Sequence, residues 1–156
     1  MKELSSIKVS FFQSVKIVII SAILGLIFNW TSPAMLPIIP KYTPLKDDPR
    51  VIRLEDTKRF FDEAISVFID ARKKEDYVKS HIPGAMNYYA EEFGTEDEES
   101  ITQFLPFDTI IITYCDGGEC ELSRRLADRL EEIGYTNVRI FASGWDGWEK
   151  AGYPVE

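Results

Sequence analysis

The sequence predicts an α/β domain on a largely parallel sheet, and three observations carry that prediction. From Val51 onward, strand-like and helix-like segments alternate, which is the pattern of βα units. Thr109–Tyr114 is a β-branched apolar run leading through a glycine-bearing loop into a helical stripe of Leu122, Leu126, Leu130 and Ile133. Gly134 then stands where a C-cap glycine would stop that helix.

Taken in order, residues 1–10 read as a short tail. Residues 11–31 read as a membrane-spanning helix, because Phe11–Trp30 carries one charge, Lys16, and Ile17–Phe28 carries none. About 20 apolar residues suffice for a span. Asn29-Trp-Thr-Ser-Pro-Ala makes a poor signal-peptidase site, which favours an uncleaved anchor. Lys2, Lys8 and Lys16 precede the apolar core, so the positive-inside rule leans toward a globular domain on the extracytoplasmic, periplasmic side. Residues 32–50, with Pro33, Pro37, Pro40, Pro44 and Pro49, read as an extended linker.

The domain follows at 51–156. Val51–Leu54 reads as a short strand, Asp56–Ala64 as a helix and Ser66–Asp70 as a buried strand ending on an acid. Met86–Tyr89 is a third strand, Glu96–Phe104 a surface helix, and Thr109–Tyr114 the central strand. Glu121–Ile133 is the next helix, Val138–Phe141 the fifth strand and Gly144–Ala151 a short last helix. Five strands flanked by helices result, and ligands in such sheets gather at the carboxyl ends of the strands.

Composition narrows the function. A net charge of −8 argues against nucleic-acid binding, which needs a basic face. Two cysteines without a Cys-x-x-Cys pair, and one histidine, fall short of the usual metal ligand sets, so no metal or other cofactor is expected.

The chemistry concentrates in Cys115-Asp116-Gly117-Gly118-Glu119-Cys120. A cysteine at a strand end, ahead of a helix N-terminus, meets unpaired N–H groups and a partial positive charge that favour its thiolate. Two glycines let the loop curl so that several N–H groups point inward. A buried strand cysteine followed by an ordinary turn fits the same local pattern.

The wider set of segments resolves that ambiguity. Phe68-Ile-Asp-Ala-Arg72, Asp76-Tyr77 and His81-Ile-Pro-Gly-Ala85 come first, then Tyr114-Cys-Asp-Gly-Gly118, Ser123 and Leu126-Ala127. Gly134-Tyr-Thr-Asn-Val138, Gly144-Trp145, Trp148 and Ala151-Gly-Tyr-Pro-Val155 complete the order. Together they resemble a single rhodanese, or sulfurtransferase-type, module from Leu54 to the end. The resemblance implies that Cys115 carries sulfane sulfur as a persulfide and passes it to a thiol or other nucleophilic acceptor. It implies that the amides of Asp116 to Cys120 cradle the terminal sulfur. It also implies that Asp70, Arg72, His81 and Gly84 are structural, with general-base duty the rival role for His81. Trp145 and Trp148 read as core or rim aromatics.

The chain departs from thiosulfate-using relatives in its loop. Asp116 and Glu119 put carboxylates beside the thiol, opposing a dianionic donor. Arg124 and Arg125, one turn into the helix, are the candidates for an anion contact. A protein persulfide, polysulfide or small-thiol persulfide is therefore the expected donor. Cys120 opens a second possibility, a Cys115/Cys120 thiol–disulfide pair. The fold also hosts dual-specificity phosphatases, but the arginine they need six residues after the nucleophile is here Glu121. The alternative to an enzyme is a noncatalytic module of this fold, or a redox protein, serving an integral membrane partner.

Overall fold

The computed structural model describes residues 2–31, 44–118 and 120–156. By its internal contacts the chain divides into two compact units, Met1–Tyr42 and Thr43–Glu156.

The first unit contains helix α1, Lys2–Thr31. The single-pass span expected at 11–31, and with it the periplasmic-side placement of the domain, is corrected by the structure. Among the described residues no helix is long and apolar enough to cross a membrane. The uncharged stretch Ile17–Phe28 would rise only about 18 Å as a helix, against roughly 30 Å of hydrocarbon. Lys16, Ser14 and Gln13 adjoin it on one side. Most of the proline-rich stretch, residues 32–43, lies outside the described residues. Beyond it Leu45–Asp47 form a 3-10 turn, and Leu45 is buried in the core of the second unit.

The second unit is an α/β domain with a five-stranded sheet. Its strands are β1 (Val51–Ile52), β2 (Val67–Asp70), β3 (Met86–Asn87), β4 (Ile110–Tyr114) and β5 (Asn137–Phe141). They lie in the order β1-β5-β4-β2-β3, every neighbouring pair parallel. The helices are α2 (Leu54–Asp62), α3 (Lys74–Lys79), α4 (Thr95–Phe104), α5 (Leu122–Glu132) and α6 (Gly144–Lys150).

A parallel sheet must be covered on both faces, and the residues of β4 divide accordingly. Ile111 joins a core with Leu126, Ala127 and Leu130 of α5 and Ile101 of α4. Ile112 and Tyr114 point the other way, into Phe68, Phe141, Trp145 and Trp148. Each fully buried leucine or isoleucine here is worth about 1.5–3 kcal/mol relative to exposure. The period of two also sends Thr113 and Cys115 to the α5 face. The Thr113 hydroxyl donates to the Ser123 carbonyl at 2.9 Å, tying β4 to the first turn of α5.

Helix α5 forms because Leu122, Leu126 and Leu130 recur every four residues along one stripe. It ends in a Schellman arrangement: Gly134 donates to Glu131 and Tyr135 to Leu130, each at 3.0 Å. On the opposite face Trp148 is fully buried, makes edge contacts with Phe61 and Tyr153, and donates its indole N–H to the Pro154 carbonyl at 2.7 Å. Register sets the level of the strand ends, because Tyr114 lies opposite both Asp70 of β2 and Phe141 of β5. The next residue of each strand, Ala71, Cys115 and Ala142, therefore leaves the sheet along one edge.

Candidate active site

Cys115 is the first residue beyond β4, and its side chain is 1% exposed. Its Sγ lies 3.5 Å from the Ser123 hydroxyl and 3.4 Å from the Cys120 carbonyl oxygen. Ser123 is itself fully buried in the first turn of α5. The sulfur thus sits against the N-terminal end of an eleven-residue helix, where first-turn N–H groups lack intrahelical partners. Cys115 and Cys120 form a disulfide with a Cα–Cα distance of 6.5 Å, within the usual reach of such a bond.

The loop curls through Gly117 at φ +129° and Gly118 at φ +66°. A side chain at Gly117 would run into the Ser143 carbonyl oxygen. The reciprocal approach comes from Gly144, at φ +56°, where a Cβ would meet the Cys115 carbonyl oxygen, the Gly117 nitrogen and the Asp116 carbonyl carbon. That closeness lets Trp145 donate its amide to the Cys115 carbonyl, and Asp146 to the Asp116 carbonyl, each at 2.8 Å. The start of α6 therefore holds the first two residues of the loop, a positioning role the sequence reading did not assign. Its one trace in the sequence is Gly144, three residues past the end of β5.

One wall of the loop carries a buried ion pair. Arg72 and Asp70, 4% and 0% exposed, meet through Nη2 at 2.7 Å and Nε at 3.0 Å, and Arg72 also donates to the Ser80 carbonyl at 2.9 Å. The guanidinium lies 4.9 Å from the Trp145 ring centre and 4.0 Å from the Asp116 carboxylate. Partial burial pushes the Asp116 carboxyl above its ordinary value. Arg72 pulls against that shift, and the carboxylates of Asp76, Asp70 and Asp146 add to it. Arg72, Asp76, Lys79, Ser80, Asp116 and Trp145 line a shallow crevice of about 340 Å³ beside the loop.

The remaining sequence candidates fall in several places. Arg124 pairs with Asp48 and with Glu121, both at 3.2 Å, and Arg125 pairs with Glu91 at 3.5 Å. His81 stacks on Tyr77 at 3.8 Å, and its Nδ1 lies 2.9 Å from the Tyr77 carbonyl oxygen. Its backbone exchanges two hydrogen bonds with Glu156, each 2.9 Å, and the Gly84 amide donates to the Glu156 carboxylate at 3.1 Å. These contacts fasten the carboxyl terminus rather than the loop. Glu119 lies outside the described residues. Among the described residues no group of three His, Cys, Asp or Glu side chains is arranged to hold a metal ion.

A cysteine at a strand end, backed by a helix start and a glycine-curled loop, can act as a nucleophile or as half of a disulfide. Known proteins resemble this chain. The family described as Rhodanese-like domain matches residues 54–151. A thiosulfate sulfurtransferase, GlpE, of Actinobacillus succinogenes is 32% identical over 91 residues, which is 58% of this chain and 76% of that protein. A dual specificity phosphatase of Arabidopsis thaliana is 28% identical over 93 residues, covering 56% of this chain and 64% of that protein. Among solved structures, a Bacillus halodurans protein superimposes with a TM-score of 0.60 at 25% identity, covering 67% of this chain and 74% of its own. A human single-domain sulfurtransferase superimposes at 0.53 with 16% identity, covering 65% and 96%, a likeness of fold alone.

Proposed function

The chain belongs to the rhodanese-like domain family, and we propose that it is a sulfurtransferase carrying sulfane sulfur as a persulfide on Cys115. The observation that carries this reading is the seat of Cys115 at the end of β4, against Ser123 and the start of α5. With the disulfide opened, the Cys115 thiolate attacks the outer sulfur of a donor persulfide. The donor's S–S bond breaks, its thiolate leaves and takes up a proton, and a Cys115 persulfide remains. An acceptor thiolate then attacks the terminal sulfur, and the Cys115 thiolate is the leaving group. A persulfide anion in this place is favoured by the start of α5 beside it, and the family resemblance implies that loop amides cradle its terminal sulfur.

The partners this requires are a sulfane-sulfur donor and a thiol acceptor, small molecule or protein. A persulfide or polysulfide suits the site better than thiosulfate. Asp116, the residue after Cys115, adds a negative charge to the loop, and Arg124 and Arg125 already hold carboxylates. The Asp116–Cys120 loop, with Gly117 and Gly118 in it, favours an enzyme over a bare scaffold, which has no use for a glycine-curled loop. Glu121, where a phosphatase loop would need its arginine, disfavours phosphoryl chemistry.

Mass spectrometry tests the reading on reduced Cys120→Ser protein, whose only thiol is Cys115. Incubation with polysulfide should add the mass of one sulfur atom to the Cys115 peptide, and a small-thiol acceptor should remove it. No adduct with any of several sulfane donors would sink the proposal.

A further inference from the structure

The sulfur-carrier role uses Cys115 and leaves Cys120 without a task, although the structure bonds the two. We infer that Cys120 is a resolving thiol that turns the Cys115 persulfide into hydrosulfide, giving the protein a persulfide-reducing activity beside sulfur transfer. The inference rests on the sulfurtransferase reading, because it needs a persulfide on Cys115.

Three observations support it. The disulfide joins Cys120 to the Sγ of Cys115 itself, which in a persulfide is the inner sulfur. Both ends of this contact are tied down, the Cys115 and Asp116 carbonyls by α6 and Cys120 by its amide, which donates to the Gly117 carbonyl at 3.4 Å. Burial also differs, since Cys115 is 1% exposed while Cys120 is half-buried. An outside acceptor reaches the terminal sulfur and carries it away. Cys120, bonding from within the loop, reaches the inner one and expels it.

The step balances without further reagents. The Cys120 thiolate attacks Cys115 Sγ, the Cys115–Cys120 bond forms, and the bond to the terminal sulfur breaks. That sulfur leaves as hydrosulfide with the persulfide electron pair. The sulfane sulfur is reduced to sulfide, and the two cysteine sulfurs are together oxidised by two electrons to the disulfide. Resetting the protein takes a dithiol reductant. It attacks the more accessible Cys120 sulfur, and Cys115 departs as the thiolate that the start of α5 and the Ser123 hydroxyl favour. A mixed disulfide to Cys120 then collapses as the reductant's second thiol closes on its first. The same disulfide closes Cys115 to new donor until a dithiol is available.

The test uses the reduced full-length protein, loaded with glutathione persulfide and freed of small molecules by rapid desalting. Released sulfide and remaining thiols are then followed together. From that point wild type should release one hydrosulfide for each Cys120 thiol lost, and the peptide map should show the Cys115–Cys120 bond. Cys120→Ser should hold its sulfur on Cys115 and release sulfide at least about tenfold more slowly, because an outside thiol lacks the effective concentration of a tethered one. Equal release from Cys120→Ser would overturn the inference alone. So would a wild-type persulfide that persists with the Cys120 thiol intact, or sulfur found on Cys120. If neither protein takes up sulfur on Cys115, the sulfurtransferase reading falls and this inference falls with it.

Discussion

The Trp145 amide donates to the Cys115 carbonyl oxygen at 2.8 Å, so helix α6 holds the first residue of the Cys115–Cys120 loop. The bond depends on Gly144, whose lack of a side chain lets the two backbones meet.

Gly144→Ala should therefore damage both stability and activity. Its φ of +56° strains any other residue, and the new Cβ would press on Cys115, Asp116 and Gly117. A loss of about 1–3 kcal/mol in urea unfolding is expected, together with slower sulfur transfer. Gly152→Ala is the control, at a similar φ of +68° but with open space around it. Equal losses at the two positions would show that strain alone, and not the approach of α6 to the loop, decides the effect.

The Asp70–Arg72 pair should be costly to break from either side. Both groups are buried, and removing one leaves the other charged without its partner. Arg72→Leu and Asp70→Asn should each lower stability by about 3–5 kcal/mol. The double variant should lose less than the sum, which a double-mutant cycle in urea would measure.

Asp48 gives the pH dependence a definite sign. The hydrogen bond from Arg50 lowers its pKa from 3.8 to about 2, partly opposed by burial and helped by the backbone and charge of Arg50 and by Arg124. The folded value lies below the unfolded one, so this stability is present above the unfolded pKa and lost as pH falls from about 4 to about 2. At neutral pH it amounts to about 2 kcal/mol. Asp48→Asn should remove that amount at pH 7 and flatten the acid limb of the stability curve. An unchanged limb would show that the Asp48–Arg50–Arg124 cluster is energetically idle.

Asp116 should hold the Cys115 thiol back from ionising. In Cys120→Ser protein, Asp116→Asn should move the pH midpoint of Cys115 alkylation downward by roughly a few tenths of a unit, a small shift because the carboxylate is largely exposed. The raised carboxyl of Asp116 neutralises at higher pH than an ordinary aspartate, so the difference between the two proteins should narrow in mild acid.

Much of this site was legible in the sequence because it rests on local patterns. The β-branched run before Cys115, the leucine stripe of α5 and the Gly134 stop each declare themselves within a few residues. Boundaries were less legible. Leu54 reads as the end of a strand yet opens α2, since its side chain packs on the Trp148 face through helical spacing. Helix α3, only six residues long and without a buried side chain, offers no stripe to read. The span expected at 11–31 rested on the length and low charge of Phe11–Trp30, but among the described residues no helix is long and apolar enough to cross a membrane. The hold of α6 on Cys115 was hidden because it is a backbone contact between segments thirty residues apart, which no side-chain pattern records. The pairing of Cys115 with Cys120 could be named as a possibility from spacing, but contact between the sulfurs follows from how the loop curls.

The central claim is that sulfur travels through the Cys115 sulfur atom, and a single-turnover comparison tests it most directly. Reduced full-length protein and its Cys115→Ser variant are each given a small-thiol persulfide and an acceptor thiol, and transfer is timed. Loss of the nucleophile should bring the rate down at least about a hundredfold, to the uncatalysed background. Transfer that persists in a well-folded Cys115→Ser protein would contradict the claim.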